Sequence, residues 1–244
     1  MKIYSAIQIG DYHFNNCEDA LYIGKFGRDK LICAVMDGCT TAIESQFASL
    51  LVCKILKKII IEKGYKDMVD KSEATMSLEQ HLKSILKDLF SELKIIKNQL
   101  LLDAKELLTT LIIMIVDKNS DQGIVLTIGD GFVNINGKVT EYEQDNKPDY
   151  LGFHISEDFE KFYSLQNQKI VFDKISDISI ATDGIFSFTK VQKSTEEMDV
   201  IDFLSQNKEG NETEDMLNLK LKILKNDFGL KPTDDFSMIR ILNS

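Results

Sequence analysis

Short apolar runs bounded by polar turns fill the first forty residues and predict β-strands at 2–9, 20–25 and 30–36. Apolar runs rich in β-branched residues return after residue 108. They predict further strands at 109–116, 123–128, 131–135, 139–142, 169–172, 175–181 and 236–242. Asn136-Gly137 is typical of a tight hairpin between two of these strands. The short spacings predict antiparallel pairing.

Helical periodicity separates these blocks of strands. Apolar positions three and four residues apart predict two long helices at 42–62 and 77–102. Gly64 is the expected end of the first, and Ser77 with Gln80 predicts a capping box at the start of the second. Shorter helices are expected at 196–205 and 212–226, and 144–168 is expected to be irregular. The pattern favours an α+β fold with sheets packed on each other and helices outside.

Composition narrows the class of protein. The chain has 244 residues, of which 43% are hydrophobic and 28% charged, as in a globular protein that needs no disulfide or structural metal. A net charge of −10 disfavours nucleic acids and anionic membranes as partners. No signal-peptide pattern or stretch long enough to span a bilayer is present, so a cytoplasmic protein is expected. Its four cysteines are expected to be free thiols.

Acidic residues recur where predicted strands begin or end. The dipeptides concerned are Glu18-Asp19, Asp37-Gly38, Asp130-Gly131, Asp183-Gly184 and Asp234-Asp235. Taken alone, any one Asp-Gly pair is better explained as an ordinary turn. Strand ends lie together on one rim of a sheet, however, and carboxylates gathered there repel one another unless a cation neutralises them. Such a set of oxygen ligands suits Mg²⁺ or Mn²⁺.

The same residues occur in an ordered set of motifs that spans residues 16–240. The segments are Asn16-Cys17-Glu18-Asp19-Ala20, Ala34-Val35-Met36-Asp37-Gly38, Leu108-Thr109-Thr110-Leu111, Ile128-Gly129-Asp130, Ala181-Thr182-Asp183-Gly184-Ile185-Phe186 and Asp234-Asp235-Phe236-Ser237. In this order the chain resembles the metal-dependent protein phosphatase 2C family, the PPM-type serine/threonine phosphatases, as a divergent bacterial-type member. The resemblance implies one domain over 1–244, a four-layer αββα sandwich with two antiparallel sheets flanked by helices.

The resemblance also implies a metal-binding set. Asp37 would bridge two Mn²⁺ or Mg²⁺ ions, and Asp183 with Asp234 would complete the protein ligands of the first. The carbonyl of Gly38 would serve the second ion together with Glu18, directly or through water.

The implied reaction is hydrolysis of phosphoserine and phosphothreonine in proteins by a hydroxide that bridges the two ions. Asp37 is the expected catalytic residue together with Asp19, which would hold metal-bound water. Asp130 would form a third metal position with Asp183, as in bacterial-type members. The expected partner is a phosphorylated protein, and a monomer is expected.

The chain departs from the family pattern on the substrate side. Phe14 stands where the family places an arginine that clamps the phosphate, and the neighbouring His13 is the candidate substrate-binding side chain. Cys39 follows the second motif, where His or Met is usual, and is expected to pack or to form a hydrogen bond. Gly131-Phe132 replaces a Ser-Arg pair. Altered substrate preference is the expected consequence.

Residues 149–168 fall where the family has a variable flap beside the site. They are predicted to shape substrate choice, although Phe159 and Phe162 are also explained as anchors of a loop. Two other functions stay open at this point. The missing arginine favours a pseudophosphatase or phosphoprotein-binding module on the same fold, and the retained carboxylates oppose it. An unrelated α+β protein whose Asp-Gly pairs are only turns is the third possibility.

Overall fold

The computed structural model describes residues 1–13, 16–41, 44–69, 76–144, 148–190 and 197–243. The strands are β1 (Lys2–Gln8), β2 (Ala20–Phe26), β3 (Lys30–Met36), β4 (Leu111–Asp117), β5 (Gln122–Ile128), β6 (Gly131–Ile135), β7 (Lys138–Tyr142), β8 (Lys169–Phe172), β9 (Asp177–Ala181), β10 (Phe188–Lys190), β11 (Leu230–Pro232) and β12 (Phe236–Leu242). The α-helices are α1 (Phe47–Val69), α2 (Leu78–Leu100), α3 (Leu151–His154), α4 (Phe159–Leu165), α5 (Val200–Ser205) and α6 (Met216–Asn226).

Ten of these strands form two five-stranded antiparallel sheets. The first sheet has the order β1-β12-β9-β6-β7 and the second the order β2-β3-β4-β5-β8, while β10 and β11 pair separately. In the second sheet Ala20 is the partner of Met36 and Leu111 of Ile128. The segments that follow β3 and β5 and precede β2 and β4 therefore lie at one end of this sheet.

Side-chain alternation explains why β3 and β4 are apolar throughout. Along β3, Ile32 and Ala34 pack beneath α1 and α2, whereas Cys33 and Val35 point into the layer between the two sheets. Neither face of a strand buried in this way meets water, so both faces carry apolar side chains. The first sheet likewise carries a third apolar layer against α5 and α6, which includes Phe132. The expected four-layer αββα sandwich is confirmed.

Helix α1 runs past the residue predicted to end it. Gly64 stays inside the helix, and it is not among the glycines with a positive φ. A glycine ends a helix when it adopts the left-handed conformation. Here the neighbouring Lys63 is buried and its Nζ lies 2.7 Å from Ser84 Oγ and 2.8 Å from an Asp88 carboxylate oxygen, both on α2. These contacts between helices favour continuation of α1, which sequence periodicity could not show.

The start of α2 is as predicted. Ser77 Oγ accepts a hydrogen bond from the Gln80 N–H at 3.2 Å, and Gln80 Oε1 accepts one from the Ser77 N–H at 2.8 Å. This reciprocal pair satisfies two backbone donors at the helix start.

The segment expected to be irregular contains α3 and α4. Two helices of four and seven residues are too short for their apolar spacing to be distinctive. The rings of Phe159 and Phe162 lie 5.4 and 4.8 Å from the ring of Phe90 on α2. The anchoring interpretation of these two aromatics is therefore confirmed. In the described part of the chain no helix is both long and apolar enough to cross a membrane.

Candidate active site

The backbone of Asp37 is fixed at the end of β3 by the threonine motif. The Asp37 N–H donates to Thr110 Oγ1 at 3.1 Å, and its carbonyl accepts from the Thr110 N–H at 2.9 Å and from Thr109 Oγ1 at 2.7 Å. Both threonines precede β4, so the pairing of β3 with β4 places this clamp beside Asp37. The arrangement explains why two threonines open the central strand.

The glycines after Asp37 and Asp183 are required by close approach of the backbone and not by a turn conformation. Neither has a positive φ. A Cβ on Gly38 would lie 2.2 Å from the Ser45 carbonyl oxygen, and one on Gly184 would lie 1.8 Å from that of Asp235. Segments distant in the sequence therefore meet at these glycines. Close approach, and not a positive φ, therefore requires glycine at both positions, although Asp183-Gly184 also forms the centre of a turn in which the Ile185 N–H donates to the Thr182 carbonyl at 3.3 Å.

Contacts between the two sheets bring the acidic segments together. Thr182 Oγ1 donates to Asp19 Oδ2 at 2.7 Å and accepts from the Ser237 N–H at 2.9 Å. Asp235, which is 1% exposed, accepts from the backbone N–H of Gly10 at 2.7 Å and from that of Glu18. The sequence marks Asp234-Asp235 as one acidic pair. The structure separates them, because Asp235 ties loops together while Asp234 faces the other carboxylates.

Burial and mutual repulsion raise the carboxyl pKa values. Burial is the largest cause in each case. It raises the pKa of Asp19 to about 8, with added repulsion from Asp235 and Asp183. The pKa of Asp183 rises to about 7, with repulsion from Asp130 and Asp234.

The same causes act on two further carboxyls. The pKa of Asp37 is well above its ordinary value because the group is desolvated and faces Asp19, Asp183 and Asp234. The pKa of Asp130 is also raised, by burial and by Asp234. Carboxylates from five separate segments therefore face one another across one site.

Glu18 and His13 lie at the edge of this cluster. Glu18 is 6% exposed, and its Oε2 accepts a hydrogen bond from Thr40 Oγ1 at 3.0 Å. His13 Nδ1 lies 2.9 Å from Asp235 Oδ2 and 3.9 Å from Glu18 Oε1, and its Nε2 lies 3.5 Å from Asp234 Oδ1. The predicted substrate-binding histidine thus contacts carboxylates of its own chain.

The oxygen atoms present fit a hard divalent cation. Asp19 Oδ1 and Asp130 Oδ1 are buried without a hydrogen-bond partner among the described residues. An uncompensated buried carboxylate is costly, and a cation would remove that cost. Within the same residues, no three His, Cys, Asp or Glu side chains already surround one point closely enough to hold an ion. The carboxylates converge, and the chemistry of the set fits the expected ions.

Tyr150 is a site residue that the sequence did not single out. Its hydroxyl lies near Cys39, and the charges of Asp37 and Asp130 act on it. Burial is the main cause that raises the pKa of Tyr150. Cys39 also lies 3.1 Å from Thr41 Oγ1 and is 5% exposed, which fits the hydrogen-bonding role expected for it. No motif marks Tyr150; only its place in the predicted flap could have suggested it.

A family model described as Protein phosphatase 2C matches residues 10–222 of the chain. The chain belongs to the protein phosphatase 2C family. The resemblance inferred from the ordered motifs is confirmed, and membership supports a protein phosphatase function. A search of the curated proteins found no match.

Solved structures of bacterial phosphatases share the fold. The phosphatase domain of SpoIIE from Bacillus subtilis with a fragment of its regulatory domain is 17% identical, with a TM-score of 0.57; the match covers 98% of this chain and 62% of that one. A bacterial serine phosphatase with a point mutation is 14% identical, with a TM-score of 0.62 and coverage of 100% and 99%. RsbX in complex with magnesium is 15% identical, with a TM-score of 0.52 and coverage of 98% and 92%.

Neither arginine of this phosphatase 2C chain is placed to clamp a phosphate. The position that the family pattern assigns to that arginine, Phe14, lies outside the described residues. The whole sequence contains two arginines. Arg240 is fully buried against Asp177, and Arg28 lies in the turn between β2 and β3, at the opposite end of β3 from Asp37.

Proposed function

We propose that the protein is a Mn²⁺- or Mg²⁺-dependent phosphatase that hydrolyses phosphoserine and phosphothreonine in proteins. The observation that carries the proposal is the convergence of Asp19, Asp37, Asp130, Asp183 and Asp234 in a member of a phosphatase family. The raised pKa values of Asp19, Asp37, Asp130 and Asp183 indicate a site that lacks its counter-charge. RsbX, which shares the fold, was solved with magnesium.

The chain's own residues would hold two or three cations. Asp37 would bridge two of them, with Asp183 and Asp234 on one side and Glu18 with the Gly38 carbonyl on the other. When bound, the cations supply Lewis acidity, which lowers the pKa of water and offsets charge on the phosphoryl oxygens.

Other residues orient the reacting groups. Asp130 would add a third position next to Asp183. The buried Oδ1 of Asp19 has no partner among the described residues, and its Oδ2 is held by Thr182, so Asp19 can hold a water molecule in a fixed direction. Without an arginine at the site, phosphate recognition depends on the cations more than in other family members.

The test is hydrolysis of p-nitrophenyl phosphate and of a phosphoserine peptide by the purified protein, with Mn²⁺, with Mg²⁺ or with EDTA. We expect turnover that requires the metal and is lost in Asp37→Asn and Asp183→Asn. Asp227→Asn, an exposed aspartate at the end of α6, is the matched control and keeps full activity. Calorimetry with Mn²⁺ on the same proteins measures binding separately.

The binding-module alternative predicts a different result, with phosphoprotein binding but no turnover of any phosphoester by metal-loaded protein. The matched family is described as a phosphatase and the facing carboxylates are retained, so this alternative is not favoured.

A further inference from the structure

A cleft of about 380 Å³ opens beside the carboxylate cluster, where the edge strand β7 ends. Asp130, Asp183 and Asp234 line one part of it, and the end of β7 with Glu141 and Glu143 lines another. The cleft is therefore continuous with the proposed catalytic site and extends it toward the edge of the first sheet.

An exposed aromatic ring forms part of the same cleft. Phe186 is 41% exposed, and its ring packs against the buried ring of Phe132 with the centroids 6.2 Å apart. Phe132 is also the register partner of Glu141 in the β6–β7 pairing, and directly paired residues point to the same face of a sheet. The Phe186 ring and the Glu141 side chain thus both lie next to Phe132, on the same face of the first sheet.

Two carboxylates of the cleft, those of Glu141 and Glu143, lack basic partners among the described residues, whereas Asp234 has His13 Nε2 at 3.5 Å. Across the described ranges, no Lys, Arg or His nitrogen lies within 4 Å of a carboxylate oxygen of Glu141 or Glu143. Elsewhere on the surface such partners are present, for example Lys83 and Lys87 beside Glu160. Asp130 also lines the cleft and is 9% exposed. Its Oδ1 has no hydrogen-bond partner among the described residues. The part of the cleft beside β7 is thus acidic, has one apolar wall and holds no basic side chain of the described residues.

We propose that this cleft binds a lysine or arginine side chain close to the phosphorylated residue, so that the enzyme prefers phosphoproteins with a basic residue near the phosphate. The proposal rests on the phosphatase function proposed above and names its substrate class. Glu141 and Glu143 would pair with the cationic group, and the Phe186 ring would cover its aliphatic stem and contribute a cation–π contact. Because the cleft adjoins Asp183 and Asp234, one short peptide can reach both sites.

The test compares phosphoserine peptides that differ only in having lysine, alanine or glutamate at one position within a few residues of the phosphate. We expect kcat/KM for the best lysine peptide to exceed that of its alanine counterpart by about fivefold to tenfold, as two partly exposed ion pairs provide. The preference should shrink as salt is added. In Glu141→Gln/Glu143→Gln it should fall below about twofold, mainly through KM.

Two controls separate this proposal from general charge effects and from the function on which it rests. Glu214→Gln removes an exposed glutamate outside the cleft and should leave the lysine preference unchanged. Glu141→Lys should shift the preference toward the glutamate peptide. Equal use of lysine and alanine peptides by active wild type, or an unchanged preference in the double variant, overturns the proposal. Failure to hydrolyse even p-nitrophenyl phosphate with Mn²⁺ instead overturns the proposed function.

Discussion

Strands β9 and β12 have charged side chains at or beside both ends, and the two ends are built in opposite ways. At one end Asp183 and Asp234 face other carboxylates, and burial with mutual repulsion raises the pKa of Asp183 to about 7. At the other end the guanidinium of Arg240 donates to both carboxylate oxygens of Asp177, at 2.9 and 2.7 Å. Arg240 also donates to the carbonyls of Leu204 and Asn207.

The difference between the ends lies in where the compensating charge comes from. The Arg240 end, defined by Arg240, Asp177 and the nearby Lys220, finds its partners within the chain, as a buried ion pair must to be tolerated. The carboxylate end holds like charges and two buried carboxylate oxygens without a partner among the described residues. We infer that the first end serves stability and the second binds a cation from outside.

The largest expected effect lies at the carboxylate end. Asp37→Asn should lower kcat by about a thousandfold, since it removes the ligand proposed to bridge two cations. The same change should leave the metal-free protein as stable as wild type or more stable, because one buried, repelled carboxyl becomes neutral. Paired phosphatase assays and urea denaturation in EDTA measure both. A large loss of stability in EDTA would mean that this end is structural too.

The Arg240 end should respond in the opposite sense. Arg240→Met leaves Asp177 buried without its partner and should lower the free energy of unfolding by about 3–5 kcal/mol. Well below the melting temperature, the surviving folded protein should keep its specific activity. Replacing both partners by Met and Leu should cost less than the single change, and denaturation of wild type and both variants checks this. A larger loss in the double variant would contradict it.

Removal of the metal should change the stability of the folded protein by a smaller amount, and this change should distinguish the two ends. A cation at 100 times its dissociation constant stabilises the folded state by about 2.7 kcal/mol, so Mn²⁺ should raise the melting temperature and EDTA should lower it again. The increase should disappear in Asp37→Asn and persist in Asp177→Asn. Differential scanning calorimetry with and without Mn²⁺ is the measurement. An equal increase in both variants would place the cation elsewhere.

The pH dependence of stability should show a still smaller contribution from Lys220. Burial lowers the pKa of Lys220 to about 8, with further repulsion from Arg240 and partial compensation from Glu209 and Asp202. Between about pH 8 and the ordinary lysine value, the unfolded chain binds a proton that the folded chain lacks. Stability from this group therefore rises with pH across that window.

Comparison with Lys220→Met isolates that contribution from other groups that titrate there. The free energy of unfolding of wild type minus that of the variant should increase from pH 8 to pH 10.5, in denaturation at fixed ionic strength. A constant difference would show that the Lys220 ammonium, which donates to the Phe203 carbonyl at 2.9 Å and to Asn207 Oδ1 at 2.6 Å, stays charged throughout.

Local sequence patterns predicted the bounds of an element correctly where an apolar run or a capping motif marks its ends. The bounds of β3, β6, β8 and β12 agree with the prediction, as does the capping box at Ser77. The continuation of α1 through Gly64 and the short helices α3 and α4 were not predicted. Helices α1 and α4 contact α2 through Lys63 and through Phe159 and Phe162, and such contacts between distant segments leave no periodic signal.

The sequence by itself determined the family, through ordered motifs, and the layered fold, through its apolar alternation. Tertiary structure alone decided which carboxylates face one another. Asp19 and Asp235 are more than two hundred residues apart, yet each acts on the other's charge. Their neighbours in sequence also differ in role, since Asp235 holds the Gly10 and Glu18 backbone while Asp234 faces the cluster. Charge interaction depends on distance in space, and only the packing of two sheets sets that distance.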